Sequence, residues 1–314
     1  MVGYLARRLV MTLPTLLLVG VTVFVMMRLV PGDPVLVMLG DTATEAEIAD
    51  MRAALGLDQP LPVQFALWLS RVVVGDLGTS ITNGQTVSWL ILERFEVSAS
   101  IVLVAVAAAV LIAVPLGLVA AWKQNSTADL AIVAGATVLV SVPSFWLGLL
   151  LLLLFGLKLG WLPVVGFVPF SENFAIALSF LILPIVTLIM IEIGVLTRMS
   201  RAAAIEVLRL EYVTHARAKG LPESRVLLRH VLPNAFAPTW TLIGLILGNL
   251  LGGIAVLETV FTLPGLGRLL VDGIFARDYP VVQGCLLFIA LIYVIVNLIV
   301  DLMYPLFDPR VTAE

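Results

Sequence analysis

Apolar residues run along this chain in long blocks separated by shorter polar stretches. A helix rising ~1.5 Å per residue needs ~20 apolar residues to cross a ~30 Å hydrocarbon core. Blocks of that length lie near residues 9–30, 98–122, 130–157, 174–196, 236–262 and 281–304, which predicts an all-α membrane protein with six transmembrane helices. The third block carries six consecutive leucines, Leu149 to Leu154. The fifth is interrupted by Gly244, Gly248, Gly252 and Gly253, and small residues four apart let helix backbones approach closely in lipid. The first block follows Arg7 and Arg8 as a secretory signal would. It is too long for one, however, and runs into Pro31-Gly32-Asp33-Pro34 instead of a small-residue cleavage site, so it reads as a retained anchor.

Composition agrees with lipid as the main solvent. Of 314 residues 61% are hydrophobic and 12% charged, against roughly 25% charged in an ordinary soluble domain. A net charge of −3 gives no reason to expect nucleic acid as a partner, and two histidines, His215 and His230, are too few for a metal cluster. The single cysteine, Cys285, excludes an intrachain disulfide and any Cys-based metal site. Charge placement sets the orientation. Residues 198–230 hold seven Lys and Arg against three acids, whereas 33–96 hold nine acids against three arginines. The basic stretch belongs in the cytoplasm. Arg7, Arg8 and an even number of spans then put both termini inside, as in a multi-pass protein of the bacterial inner membrane.

These patterns divide the chain into an N-terminal transmembrane helix at 1–32, an extracytoplasmic cap at 33–96, a membrane core at 97–304 and a cytoplasmic tail at 305–314. Within the core, 198–235 form a cytoplasmic loop. In the cap, Thr44 to Leu55 is predicted helical, with Thr44 and Glu47 spaced as a capping box. A second amphipathic piece after Leu61-Pro62 puts Phe65, Trp68, Leu69 and Val72 on one face. The cap either lies on the outer membrane surface or helps to receive a soluble partner. The basic loop reads as helix up to Lys219, stopped by Gly220 and Pro222. Such a helix either docks on a neighbouring protein or rests on lipid, held by its arginines.

In that loop, Glu211-Tyr212-Val213, Ala216-Arg217-Ala218-Lys219-Gly220, Val226, His230 and Asn234-Ala235 resemble the inner-loop signature of permease subunits of binding-protein-dependent ABC importers, of the dipeptide, oligopeptide and nickel class. Similar to the same class are Leu29-Val30-Pro31-Gly32-Asp33-Pro34, Leu55-Gly56-Leu57-Asp58-Gln59-Pro60-Leu61, Gly160-Trp161-Leu162-Pro163, Glu258-Thr259-Val260-Phe261, Pro264 to Leu270 and Arg277 to Gln283. In this order and between the right spans they cover nearly the whole chain. One departure is Thr214-His215, where the class commonly has a basic residue followed by Thr.

The resemblance implies a type I ABC importer permease fold, paired with a second, homologous permease subunit, two cytoplasmic ATPase subunits or domains and an extracytoplasmic solute-binding protein. A pair of identical chains is an open alternative. Glu211, Tyr212, Ala216, Arg217, Ala218, Lys219 and Gly220 would form the helix that couples to the ATPase, and ATP and Mg would bind in that partner. No Gly-Lys dipeptide occurs in this sequence, so it lacks the phosphate-binding loop that requires one. It is expected to hold no catalytic residue and no cofactor. The cargo implied is a di- or oligopeptide, with glutathione or a nickel chelate as alternatives.

Ionisable groups at membrane depth are candidates for a translocation path. Here these are Glu192, Asp301 and, one turn before it, Asn297. The competing expectation puts Glu192 and Asp301 in the headgroup zone or in pairs with loop arginines. Pro115, Pro143, Pro184 and the glycines of the fifth block are candidate bending points. The charges around Pro264-Gly265-Leu266-Gly267 either help to receive cargo or simply pair within a helix connection. A secondary transporter would show paired interrupted helices and midplane charges. An intramembrane enzyme would place a nucleophile and a base at membrane depth, yet both histidines fall in the basic loop.

Overall fold

The computed structural model describes residues 2–29, 34–39, 43–54 and 56–307. Pro31-Gly32-Asp33, Leu55, the side chains of Arg7 and Arg8 and the tail beyond Phe307 lie outside this description. In chain order the helices are α1 (Val2–Leu29), α2 (Pro34–Leu39), α3 (Glu45–Ala54), α4 (Leu61–Val73), α5 (Val87–Trp122), α6 (Thr127–Ser141) and α7 (Ser144–Leu151), which continues as a π-helix over Leu152–Lys158. Then come α8 (Phe174–Leu208), α9 (Glu211–Ala218) and α10 (Glu223–Arg225), which passes through a π-helix at Val226–Val231 into α11 (Leu232–Gly253). The chain closes with α12 (Ala255–Val260), α13 (Leu266–Phe275) and α14 (Tyr279–Phe307).

Among the described residues five helical stretches are long and apolar enough to span a membrane, and α6 with α7 and its π-helical continuation, bent by 95°, is a sixth if the pair counts as one span. The third apolar block is therefore not one straight helix. Pro143 is the cause. It forces Val142 into an extended conformation with ψ 125°, because a residue before proline is pushed out of the helical region. Pro115 and Pro184, by contrast, lie inside the unbroken α5 and α8. The fifth span also differs from its apolar block: it starts at Glu223 and stops at Gly253, and the chain turns at Ile254 into the short α12.

Helices α5 and α8 run side by side in the same direction and supply much of the main core through Ile101, Ala105, Ala109, Leu181, Leu188 and Leu196, joined by Ile243 and Ile246 of α11. They touch closely enough that a Cβ on Gly117 would fall 2.7 Å from that of Ser200. Antiparallel α11 and α14 use the predicted glycine stripe, with Gly244 against Val300 and Gly248 against Tyr293. In α4 the predicted apolar face holds. Phe65 and Trp68 pack on Phe24 of α1 at ring distances of 5.3 and 5.6 Å. The capping box of α3 forms as well, since the Thr44 N–H donates to Glu47 Oε2 at 2.8 Å and the Glu47 N–H to Thr44 Oγ1 at 3.3 Å.

Two buried carboxylates tie the end of the bundle where α13 sits. Ser98 Oγ of α5 donates to Glu258 Oε1 at 2.5 Å and accepts from the Leu266 N–H at 2.8 Å. Glu258 Oε2 accepts from the Arg268 N–H at 2.8 Å. The first N–H groups of α13, which lack partners within their own helix, are thus satisfied from α5 and α12. A side chain at position 265 would overlap the Glu258 carboxylate, and one at 267 would meet the Ala255 backbone at 2.7 Å. Asp278 precedes α14. Its Oδ2 accepts from Ser80 Oγ at 2.5 Å, Thr82 Oγ1 at 2.9 Å and the Thr82 N–H at 3.2 Å. The opposite end is held by a part-buried ion pair, with Arg201 Nε and Nη2 donating to Asp129 Oδ1 and Oδ2 at 2.6 and 2.7 Å.

Gly267→Ala is expected to destabilise the protein by about 1–3 kcal/mol, the usual result of overpacking against atoms that cannot yield. Gly135→Ala, a helical site with nothing within 4 Å of the added methyl, should be neutral or stabilising by about 0.5–1 kcal/mol. Thermal unfolding in detergent compares the two, and equal shifts would contradict the packing described. Burial opposes ionisation of Asp278, but the bonds from Ser80 and Thr82 outweigh it and hold the carboxyl below its ordinary 3.8. Its contribution is therefore full above about pH 4 and lost as pH falls through the folded value. Acidification from about pH 5 to 3 should lower wild-type stability more steeply than that of Asp278→Asn, by up to ~1.4 kcal/mol per pH unit. Parallel curves would remove this role.

Candidate coupling surface and membrane-depth polar groups

Helix α8 ends at Leu208 because Leu210 turns extended, with ψ 144°, and the chain restarts as α9. Val213 and Ala216 of α9 are 0% and 6% exposed. They sit in an apolar cluster with Val114 and Leu118 of α5, Ala203, Ala204 and Val207 of α8, and Val226 and Val231. Ala216 thus serves the seat of the helix and not its outward face. Glu211, Tyr212, Thr214, His215, Arg217, Ala218, Lys219 and Gly220 are exposed.

The helix closes by a defined stop. Gly220 takes φ +75°, its N–H donates to the Arg217 carbonyl at 2.9 Å, and the Leu221 N–H reaches the Ala216 carbonyl at 3.4 Å. This is the Schellman arrangement, and Leu221 completes it by packing on the cluster under α9. Arg217 pairs with Glu223 at 2.8 Å, both more than a third exposed. A pair in that setting contributes ~0–1 kcal/mol, so it orients the turn more than it stabilises it. Tyr212 Oη donates to the His230 carbonyl at 3.4 Å, and Asn234 Nδ2 to the same oxygen at 2.8 Å. Val213, Ala216, Val226 and Ala235 of the inner-loop pattern are buried, while Ala218 and the polar members face outward or brace the turn. Thr214 and His215, the departure from that pattern, lie on the presented surface.

Of the membrane-depth candidates, Glu192 is 7% exposed on α8. Pairing with Arg201 is not observed, because that guanidinium is engaged by Asp129. Asn297 donates to the Tyr293 carbonyl one turn back at 3.0 Å, and Asp301 is half-buried one turn further on. Asn297 and Asp301 share α14 whereas Glu192 lies on α8, and α11 packs against both helices. Around Pro264-Gly265-Leu266-Gly267 two acids reach α5 and the loop before it, and one charge pair is local. Glu258 and Asp278 accept the hydrogen bonds described above, and Arg268 lies 3.7 Å from Asp272.

Sequence reasoning did not single out Asp129, Ser98, Ser80 or Thr82. Asp129 carried one local signal, an acid three residues after Ser126 at the start of an apolar helix; the Ser126 hydroxyl does accept from its N–H at 3.3 Å. Ser98 and the Ser80–Thr82 loop carried none, because their partners are remote in the chain.

Known proteins resemble this chain along its whole length. The family described as the inner membrane component of binding-protein-dependent transport systems matches residues 113–313, and the N-terminal part of such membrane components matches residues 1–102. A protein of Brucella suis biovar 1, provisionally named a peptide transport system permease protein, is 42% identical over 311 residues covering 99% of each chain. The oligopeptide transport system permease protein AppB of Bacillus subtilis is 38% identical over 314 residues, again 99% of each chain. The glutathione transport system permease protein GsiC of Salmonella choleraesuis is 41% identical over 311 residues, with the same coverage. A bundle of five long apolar helices and one bent pair, matched in this way from end to end, belongs to the inner membrane components of binding-protein-dependent transport systems, the type I permeases of ABC importers.

Proposed function

We propose that this chain is one of two pore-forming subunits of an ATP-driven importer of peptides, and that α9 is its contact with a cytoplasmic ATPase. The observation that carries the coupling role is the seating of α9. Its inner face is locked by Val213 and Ala216 onto residues of α5, α8 and the start of the fifth span, while its polar face is exposed. A push on α9 therefore acts on three membrane helices through one apolar cluster. In this reading the α9 end is cytoplasmic, which agrees with its basic charge, and both termini lie on that side of the inner membrane.

ATP hydrolysis with its Mg belongs to the partner, in keeping with the lack of a Gly-Lys dipeptide here. The assembly comprises a second permease subunit, two ATPase subunits and an extracytoplasmic binding protein that delivers cargo to the α13 end. Peptide as cargo is supported by relatives named for peptides, oligopeptides and glutathione, itself a peptide. Alternating access is then a switch between two packings of the bundle, each favoured by a ligand or nucleotide in the partners.

His215→Glu with Lys219→Glu, both exposed, should abolish co-purification of the ATPase and lower peptide uptake by about tenfold or more, a loss of ~1.4 kcal/mol of coupling, with unfolding unchanged. Ala216→Glu should instead lower stability as well, because it buries a carboxylate under α9. Retention of the ATPase by the double surface variant would reject α9 as the contact. For Glu192 as a path residue, Glu192→Gln at normal expression should slow uptake by about tenfold. Undiminished uptake would assign Glu192 to packing.

A further inference from the structure

Helix α4 is apolar on two faces. On one, Phe65 and Trp68 cover Phe24 of α1, which is 4% exposed. On the side away from α1, Val63, Leu67, Val73 and Val74 are bare, the least exposed at 43% and the most at 79%. Of the 13 residues only Gln64, Ser70 and Arg71 are polar, and none is acidic. The helix is ~20 Å long, too short to cross a ~30 Å hydrocarbon core. An apolar surface of this kind marks an interaction site.

Its depth says what covers it. Phe24 lies roughly 7 Å inside the end of the first span at Leu29. A Cβ on Gly20, deeper still, would stand 3.8 Å from the Trp68 ring. In-plane helices bury their apolar side to just this level, ~5–10 Å into the boundary between headgroups and acyl chains. Leu13, Leu17, Gly20 and Phe24 follow one another at helical spacing along α1. α4 covers the last two, while Leu13 and Leu17 beneath it are 64% and 50% exposed, so the lipid-facing surface of α1 continues directly into α4. Past α4, the Gly75 carbonyl accepts from Ser88 Oγ at the start of α5 at 2.7 Å, which places the helix at the α13 end.

The polar groups fit the same surroundings. The Gln64 carboxamide donates to the Leu57 and Gln59 carbonyls at 3.1 and 2.7 Å, and Ser70 Oγ to the Leu67 carbonyl at 2.7 Å. The chain itself takes up these donors, as a medium poor in acceptors requires. Arg71 shares a ridge with Gln64, is exposed, and has no acid on its own helix to pair with. Its long stem can carry the guanidinium up to a phosphate.

We propose that α4 lies in the plane of the leaflet at the α13 end, with phospholipid acyl chains against Val63, Leu67, Val73 and Val74 and a headgroup phosphate on Arg71. The helix then holds the loop before α5, and through Asp278 the start of α14, at a fixed level of the bilayer. The proposal does not depend on what the importer carries.

Nitroxide labels on Leu67→Cys and Val74→Cys test it in the assembled importer in phosphatidylglycerol and phosphatidylethanolamine liposomes. Asp50→Cys on the exposed side of α3 serves as the aqueous reference, and wild type, whose lone Cys285 is buried, gives the background. Collisions with oxygen should exceed those with a neutral nickel complex by about threefold or more at positions 67 and 74, and the order should reverse at 50, because oxygen partitions into lipid and the complex into water. A nickel excess at 67 and 74 would overturn the proposal in favour of a face open to water or to a soluble partner. Low collision rates with both probes would overturn it in favour of a protein interface. For the phosphate contact, Arg71→Leu should let the label at 67 sink, raising the oxygen-to-nickel ratio about twofold, whereas Arg71→Lys keeps a charge at the headgroups and leaves it unchanged. An unchanged ratio in Arg71→Leu would overturn the contact.

Discussion

The Glu258 carboxylate is the point on which the α13 end of this protein depends. A chain that turns three times between two membrane helices leaves several backbone N–H groups without partners in their own helices, and lipid supplies no acceptors for them. Glu258 and Ser98 supply them. The solution dictates its surroundings: Gly265 because a side chain would overlap the carboxylate, Gly267 because α13 crosses the Ala255 backbone at contact distance. The sequence Pro264-Gly265-Leu266-Gly267 is thus the imprint of one buried acid. Asp278 repeats the device one helix later, fixing the loop before α5 to the start of α14.

Much of this was legible from hydropathy, with errors of a consistent kind. The six apolar blocks located the spans, but α5 begins at Val87 and α8 runs to Leu208, well beyond their blocks. Glu93, Arg94 and Glu96 end the apolar run of α5 without ending its helix, and the Ala-rich segment after Arg198 does the same for α8. Hydropathy reports the solvent, and helix continuity is a separate property. Pro143 and the glycine stripe of α11 were readable because their effects are local. Ser98 with Glu258, 160 residues apart, and Asp129 with Arg201, 72 apart, were not, since no periodicity links positions at such separations.

The candidate coupling helix was legible as an element but not as a surface. Its pattern of residues marked α9 and its stop at Gly220, yet gave no sign of which members faced inward. The structure divides them. Val213 and Ala216 hold the helix down, and the alternating polar positions make it available. A feature that looks like one motif in sequence is therefore two, an anchor and a contact, and each constrains substitutions differently.

Helix α8 has a mechanical consequence. It is unbroken from Phe174 to Leu208, a length of ~52 Å at 1.5 Å per residue, and Pro184 does not interrupt it. One end carries the cluster on which α9 rests, and the other lies beneath the aromatic loop around Phe167 and Phe170. Where a rod of that length moves as one piece, it tilts about the pivot that its close packing with α5 provides, and inward movement at one membrane surface becomes outward movement at the other.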